Sequence, residues 1–298
     1  MNKLHRPRIV TRIIGLAVAS IIALSPAAAF ALPSTGISAA STTVPSTSYS
    51  GKNLVAMGDS VAAGVGLVPS TVPTAENTLC GRTTQSYSRL LANDLGMNLT
   101  NVACSGAQAS DLYNQQNVGG TNMLPQLDAA FANGTPDVIT LTVGANDLHW
   151  NDFVHLCYIT TCGGEKSDMV AKATRGYLRT ELFWAFNKIN YLSGGHPPKV
   201  IVTGYFTPLS TSAPACGDTQ GLTTDEINWL NSQATQLNQA IYSVTRWFSY
   251  TDYASVNFAG HELCTSDPWV QGLAAPQPYH PTAAGQQAIA DAIRAELD

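Results

Sequence analysis

The sequence predicts an α/β fold, a three-layer α/β/α sandwich on a mainly parallel sheet of about five strands. Short apolar runs of strand length alternate along the chain with longer segments of helical periodicity. This alternation is typical of a parallel sheet with helices on both faces. Of the 298 residues, 45% are hydrophobic and only 12% are charged. That composition excludes a largely disordered protein and supplies the apolar residues for a large core.

Five short runs have the composition of buried strands. In chain order they are Asn53–Met57, Leu99–Ala103, Val138–Val143, Val200–Tyr205 and, with a less clear pattern, Phe248–Tyr253. In a parallel sheet of this type the reactive groups lie at the carboxyl ends of the strands. Those ends are therefore where we expect the functional residues.

Four longer segments have the apolar spacing of helices. They are Gln85–Leu95, Met169–Leu192, Asp225–Trp247 and Ala283–Leu297. Gly96 and the pair Gly194-Gly195 stop the first two helices, because glycine favours helix C-termini. Thr224 and Thr282 precede the last two, and we expect them to be the N-caps.

The N-terminus has the pattern of a secretory signal peptide. Four basic residues among the first 12 precede an apolar run from Ile13 to Leu24. A membrane anchor is the alternative, but this run is shorter than the roughly 20 residues that span a bilayer. We expect a signal peptide over 1–31, cleaved after Ala31, and a secreted protein. The Ser/Thr/Pro-rich segment 32–51 predicts a mobile leader, and we expect 52–298 to form one folded domain.

Charge and histidine placement bear on binding partners. The chain has 15 basic and 20 acidic residues, a net charge of −5, which argues against a general nucleic-acid binder. We expect a monomer without stable membrane insertion. His149 and His155 lack further ligands at metal spacing, and no HExxH motif occurs, so we expect neither a metal nor a cofactor.

Residues suited to nucleophilic catalysis follow the predicted strands. Gly58-Asp59-Ser60 follows the first strand, Gly106 the second and Gly144-Ala145-Asn146-Asp147 the third, while His280 precedes the last helix. Alone, Gly-Asp-Ser is also the sequence of an ordinary turn. The Gly-x-Ser-x-Gly elbow of many hydrolases is absent, because Ala62 replaces its second glycine. Together, however, a serine, a histidine and two oxyanion donors are the parts of an acyl-transfer site.

These four blocks, in this order, resemble those of the GDSL-like, or SGNH, hydrolase family, and the resemblance covers nearly all of the chain after the leader. It implies the flavodoxin-like sandwich of that family, with Ser60 as nucleophile and His280 as general base. It also implies an oxyanion hole made by the N–H groups of Ser60 and Gly106 and the Asn146 side chain. The pattern is most similar to the secreted actinobacterial lipases and esterases of the family.

One position departs from the family pattern. The family usually has an Asp three residues before the histidine, and this chain has Gln277 there. Some secreted actinobacterial members resemble this chain in lacking the Asp, and in them a main-chain carbonyl replaces it. We therefore expect the Gln277 carbonyl to accept the Nδ1 proton of His280. Asp252 and Asp267 are the alternative partners, although neither has the expected spacing.

The six cysteines suit an oxidised, exported domain. They are Cys80, Cys104, Cys157, Cys162, Cys216 and Cys264, and six cysteines allow 15 pairings. Sequential pairing needs the fewest crossings and resembles the arrangement in secreted family members. We expect a structural role for all six, because an exported free thiol would oxidise.

These observations favour a secreted serine carboxylic-ester hydrolase, a lipase or esterase, that works through an acyl-enzyme on Ser60. The segments Val61–Leu79, Tyr205–Ala215 and Trp269–Tyr279 are expected to line its cleft, and they are apolar and poor in basic residues. Such walls suit a small-molecule or lipid acyl ester. One alternative is a carbohydrate acetylesterase with the same machinery. Another is a non-catalytic protein that binds lipid or glycan on this scaffold.

Overall fold

A computed structural model of the chain describes residues 48–69 and 74–298. The signal peptide predicted over 1–31 and most of the leader predicted over 32–51 lie outside these residues. The last part of that leader belongs to the folded domain, because the Tyr49 hydroxyl donates to the Leu297 carbonyl at 2.9 Å. The folded domain therefore includes residues before the expected boundary at residue 52.

The centre of the domain is a parallel sheet. The strands of the described residues are β1 (Asn53–Gly58), β2 (Asn98–Asn101), β3 (Gln116–Val118), β4 (Thr121–Met123), β5 (Val138–Thr142), β6 (Lys199–Thr203) and β7 (Thr251–Ala254). Five of them form the sheet in the order β2-β1-β5-β6-β7, with all neighbours parallel, while β3 and β4 form a separate antiparallel hairpin. The predicted five-stranded parallel sheet is thus confirmed, with strand ends shifted by a few residues.

Helices cover the sheet in two layers. They are α1 (Ser60–Ala63), α2 (Ala75–Leu79), α3 (Tyr87–Leu95), α4 (Gln126–Ala130), α5 (Trp150–Ile159), α6 (Glu165–Leu192), α7 (Thr224–Thr245) and α8 (Ala283–Ala295). Helix α3 packs against α8, and α6 packs against α7. All four predicted helices form, whereas the shorter α1, α2, α4 and α5 were not expected. This arrangement confirms the three-layer sandwich.

The N-cap of α8 is the predicted residue, whereas the N-cap of α7 is not. Thr282 caps α8 as predicted, since its hydroxyl accepts the Gly285 N–H at 3.3 Å. The cap of α7 is Thr223 and not Thr224. Glu226 decides the position, because its carboxylate accepts the Thr223 N–H at 2.9 Å while the Thr223 hydroxyl accepts the Glu226 N–H at 3.3 Å. This reciprocal capping box stabilises a start one residue earlier.

Three disulfides crosslink the loops around the carboxyl edge of the sheet. They join Cys80 to Cys104, Cys157 to Cys162 and Cys216 to Cys264, which is the sequential pairing. The first bond holds the loop that follows β2, and the third holds loops that follow β6 and β7. Among residues 48–69 and 74–298, no helix combines the length and the apolar character needed to cross a membrane.

Candidate active site

The turn after β1 brings Ser60 to the carboxyl edge of the sheet. Gly58 ends the strand with a φ of 125°, and a Cβ there would lie 1.9 Å from the carbonyl oxygen of Thr142 on β5. Only glycine fits this position. Asp59 then caps α1, because its carboxylate accepts the Val61 N–H at 2.9 Å. Ser60 is consequently the first residue of a short helix and lines a cleft.

His280 lies against Ser60 in the geometry of a nucleophile and its base. Its Nε2 is 2.7 Å from the Ser60 Oγ, within the reach of direct proton transfer. Its Nδ1 is 3.0 Å from the Pro278 carbonyl, so Nδ1 carries the proton and Nε2 is free to accept one. Burial lowers the pKa of the His280 imidazole, although the carbonyls of Pro278 and Gln277 act in the opposite direction. The ring is therefore uncharged at neutral pH.

The carbonyl that accepts the Nδ1 proton of His280 is not the one that the sequence predicts. We expected Gln277, but the Nδ1 hydrogen bond goes to Pro278, and the Gln277 carbonyl accepts the main-chain N–H of His280 at 3.4 Å. The reason is Tyr279, whose φ of 65° turns the chain back on itself. The His280 ring then lies over the carbonyl two residues earlier. A tyrosine in the left-handed region is rare, and no sequence pattern indicated it.

The two alternative carboxylates have other partners. Asp252 lies on β7, and its Oδ2 is 3.5 Å from Lys199 Nζ. Asp267 pairs with His261, with 3.3 Å between Oδ2 and Nδ1. Within the described part of the chain, no carboxylate forms a hydrogen bond or an ion pair with His280. The main-chain carbonyl of Pro278 thus takes the place of a triad acid in this geometry.

The three expected oxyanion donors follow the neighbouring strands β1, β2 and β5, at the same edge of the sheet. Among residues 48–69 and 74–298, the main-chain N–H groups of Ser60 and Gly106 have no acceptor. The Asn146 side chain donates one amide hydrogen to the Ala107 carbonyl at 2.9 Å. That bond orients the amide and leaves its second hydrogen for a ligand. Asn146 and Ser60 line the same cleft.

The loop that carries His280 is held by polar contacts that the sequence did not reveal. Gln271 donates its N–H to the His280 carbonyl at 2.7 Å and accepts the Tyr279 N–H at 2.8 Å. The Asp218 carboxylate accepts the Leu273 N–H at 2.7 Å. These bonds tie the loop to itself and to the segment that the Cys216–Cys264 disulfide anchors. His280 is therefore held on a fixed loop.

Two buried carboxylates flank the site. Asp59 is fully buried, and burial raises its pKa from 3.8 to about 7. Burial likewise raises the pKa of Asp147 to about 6. Asp59 braces its own turn through the Val61 N–H. Asp147 accepts the N–H of Ala109, 38 residues away, and so joins the β5 loop to the loop that follows Gly106.

The cleft above Ser60 is walled mainly by apolar side chains and encloses about 590 Å³ including its open mouth. The predicted segments supply part of the lining, namely Val61, Tyr205, Phe206, Pro208 and Tyr279. Ser60, Asn146 and His280 were expected there. The other lining residues were not, and they come from the loop after β5 and from α5 and α7, namely Ala145, Trp150, Asn151, Ala234 and Leu237. Helix α5 was missed because its apolar residues lack a clear helical period. It also begins after His149, which has a φ of 58°.

Comparison with known proteins agrees with this geometry. The chain matches the model of the GDSL-like lipase/acylhydrolase family over residues 56–288. It is 30% identical to a lipase of Streptomyces rimosus, over 91% of this chain and 93% of that protein. It is 31% identical to Lipase 2 of Streptomyces coelicolor, over 80% of this chain and 83% of that one.

Solved structures give the same result. An extracellular lipase from Streptomyces rimosus is similar with a TM-score of 0.65 and 27% identity, covering 82% of this chain and 99% of that one. A phospholipase A1 from Streptomyces albidoflavus is similar with a TM-score of 0.62 and 25% identity, covering 83% and 99%. The chain therefore belongs to the GDSL-like lipase/acylhydrolase family and is a carboxylic-ester hydrolase.

Proposed function

We propose that the protein is a secreted lipase or esterase that cleaves acyl esters through a covalent acyl-enzyme on Ser60, with His280 as general base. One observation carries this proposal. The Ser60 hydroxyl and the uncharged His280 imidazole are 2.7 Å apart at the wall of an apolar cleft. A serine is a weak nucleophile until a base removes its proton, and this contact supplies the base.

Acylation follows from the positions of the donors and the base. The Ser60 oxygen attacks the ester carbonyl carbon while its proton passes to Nε2 of His280. The carbonyl oxygen becomes negative, and we assign its stabilisation to the N–H groups of Ser60 and Gly106 and to the free amide hydrogen of Asn146. The tetrahedral intermediate collapses when the C–O bond to the alcohol breaks. The departing alcohol takes the proton from Nε2.

Deacylation repeats these steps with water. His280 removes a proton from the water, the resulting hydroxide attacks the acyl carbon, and Ser60 leaves with that proton. The imidazole becomes a cation transiently in both halves of the reaction. The Pro278 carbonyl, 3.0 Å from Nδ1, supplies a fixed dipole that favours this cation, in place of a carboxylate.

The apolar walls of the cleft indicate that it binds the acyl chain of the substrate. Phe206, Pro208 and Leu237 contribute apolar surface close to Ser60. Burial of such surface favours an alkyl chain by about 0.8 kcal/mol per methylene. A carbohydrate acetylesterase would gain little from these walls, because acetate is too short to cover them. The activity should therefore extend beyond acetyl esters.

Export is part of the proposal. Three disulfides close within the domain, and disulfides persist in oxidising compartments outside the cytosol. The signal-peptide pattern over 1–31 agrees with this location. The N-terminus of the exported protein tests it directly, since cleavage after Ala31 leaves Leu32 as the first residue.

A series of p-nitrophenyl esters from acetate to laurate tests the proposed activity. We expect hydrolysis of medium and long chains, and loss of that hydrolysis in Ser60→Ala with an unchanged circular dichroism spectrum. Ser249→Ala, which changes an exposed serine, is the matched control and should keep the wild-type rate. A strong preference for acetate would favour the carbohydrate acetylesterase, and no hydrolysis of any ester would favour the binding protein.

A further inference from the structure

Tyr205 links the two turns that carry the reacting groups. It follows β6, and its hydroxyl donates to Oδ2 of Asp59 at 2.5 Å and accepts the Ala145 N–H at 3.1 Å. Asp59 precedes Ser60 and caps its helix, and Ala145 precedes Asn146. A single phenol oxygen thus joins the nucleophile turn to the loop that supplies an oxyanion donor. The two residues that it bridges, Asp59 and Ala145, are 86 positions apart in the chain.

The tyrosine itself is held rigidly from outside the cleft. The Asn238 side chain on α7 accepts the Tyr205 N–H at 2.7 Å and donates to the Tyr205 carbonyl at 2.6 Å. Tyr205 is 8% exposed, and the hydrogen bond from its hydroxyl to Asp59 is buried. A side-chain amide that pairs with both main-chain groups of one residue leaves that residue little freedom. The bridge therefore has a fixed anchor.

We propose that Tyr205 is a positioning residue of the esterase reaction, which sets the separation between Ser60 and the Asn146 amide. This inference rests on the proposed function, because it concerns the same reaction. An oxyanion hole works only when its donors are held where the charge develops, and here the donors come from separate turns. The Asp59 N–H donates to the Thr142 carbonyl at the end of β5 at 2.9 Å, which joins the two turns at their base. The phenol ties them together one residue away from each donor.

The hydroxyl is also a hydrogen-bond partner of a group in each turn. Without the Tyr205 hydroxyl, the Ala145 N–H loses the acceptor that the structure shows for it, and one oxygen of the buried Asp59 loses its donor. Removal of this oxygen therefore takes one hydrogen bond from each turn at the same time. The phenyl ring, which forms part of the cleft wall, stays in place in Tyr205→Phe. Substrate binding by the wall and positioning by the hydroxyl are separable in this variant.

Kinetics of Tyr205→Phe test the inference. We expect kcat for a medium-chain p-nitrophenyl ester to fall about 10- to 100-fold with KM nearly unchanged, because small misplacements of reacting groups cost up to about 10²-fold. Affinity for an alkylboronic acid, which forms a tetrahedral adduct on the serine, should fall in parallel with kcat/KM. A role in stability alone would not produce this split. Asn238→Ala, which releases the anchor, should give the same pattern with a smaller loss.

Tyr250→Phe is the matched control. It removes a hydroxyl that donates to the Phe186 carbonyl at 2.6 Å and that does not line the cleft, and it should keep the wild-type kcat. A Tyr205→Phe enzyme with wild-type kcat would overturn the inference while leaving the proposed function intact. Equal losses in Tyr205→Phe and Tyr250→Phe that follow the melting temperature would also overturn it. An inactive wild-type protein would overturn the proposed function, and the inference with it.

Discussion

Replacement of Asn146 by alanine separates its part in the reaction from its part in the fold. One amide hydrogen of Asn146 goes to the Ala107 carbonyl at 2.9 Å, and the other is available to the substrate. The alanine variant loses both. The first loss affects the folded protein in its resting state, and the second affects only the transition state, where the negative oxygen forms.

The two losses differ in size. Removal of one oxyanion donor lowers turnover by about 10²–10³, which corresponds to about 2.7–4 kcal/mol. The bond to Ala107 is an ordinary neutral hydrogen bond, and its loss costs about 1 kcal/mol of stability. For a domain of this size that is a fall in Tm of about 2–4 °C. Turnover should thus fall far more than stability does.

The assay compares kcat, KM and Tm for three variants. Asn146→Ala should show the loss of turnover with KM little changed, and Asn146→Asp should lose at least as much, because a carboxylate repels the oxyanion. Asn151→Ala is the control, since Asn151 lines the same cleft but is exposed. It should stay within about twofold of wild type, as surface substitutions usually have small effects. Near-normal turnover of Asn146→Ala would refute its assignment to the oxyanion hole.

Further predictions concern the base and the loops. Asp252→Ala and Asp267→Ala should keep most of the wild-type kcat, and a drop near 10⁴ in either with an unchanged Tm would identify a true triad acid. Since burial lowers the pKa of His280 and the base must be uncharged, kcat/KM should rise with pH through a midpoint below 6.5; a midpoint above that value contradicts the assignment. Replacing Cys216 and Cys264 by serine removes a disulfide between residues 48 positions apart in the chain. The unfolding free energy, measured in urea, should fall by about 4 kcal/mol. Unchanged stability would show that the disulfide does not constrain the unfolded chain.

Local patterns were sufficient to predict the fold and the edge of the sheet at which the candidate site residues lie. Apolar runs such as Val138–Val143 predicted the strands because a central parallel strand is buried on both faces. Functional residues commonly follow such strands, and this rule predicted that Ser60, Gly106 and Asn146 lie at the carboxyl edge of the sheet. These expectations succeeded because each depends on residues close in sequence.

The features that the sequence did not reveal depend on contacts between distant residues. Nothing near Tyr205 signals that its hydroxyl reaches Asp59, which is 146 positions away. The carbonyl of Pro278, and not that of Gln277, accepts the His280 Nδ1 proton because Tyr279 has a left-handed backbone conformation. Helix α5 begins directly after His149, which has the same left-handed conformation. Tertiary packing selects these backbone states, and local propensity opposes them.

Covalent labelling tests the central claim, that Ser60 is the nucleophile activated by His280, most directly. Folded protein is treated with a fluorophosphonate probe, digested with its disulfides reduced, and mapped by mass spectrometry. We expect one label per chain on the peptide that contains Ser60, and a greatly slowed reaction in His280→Ala of unchanged Tm. A label on another residue, or no label on folded protein that hydrolyses esters, would contradict the account.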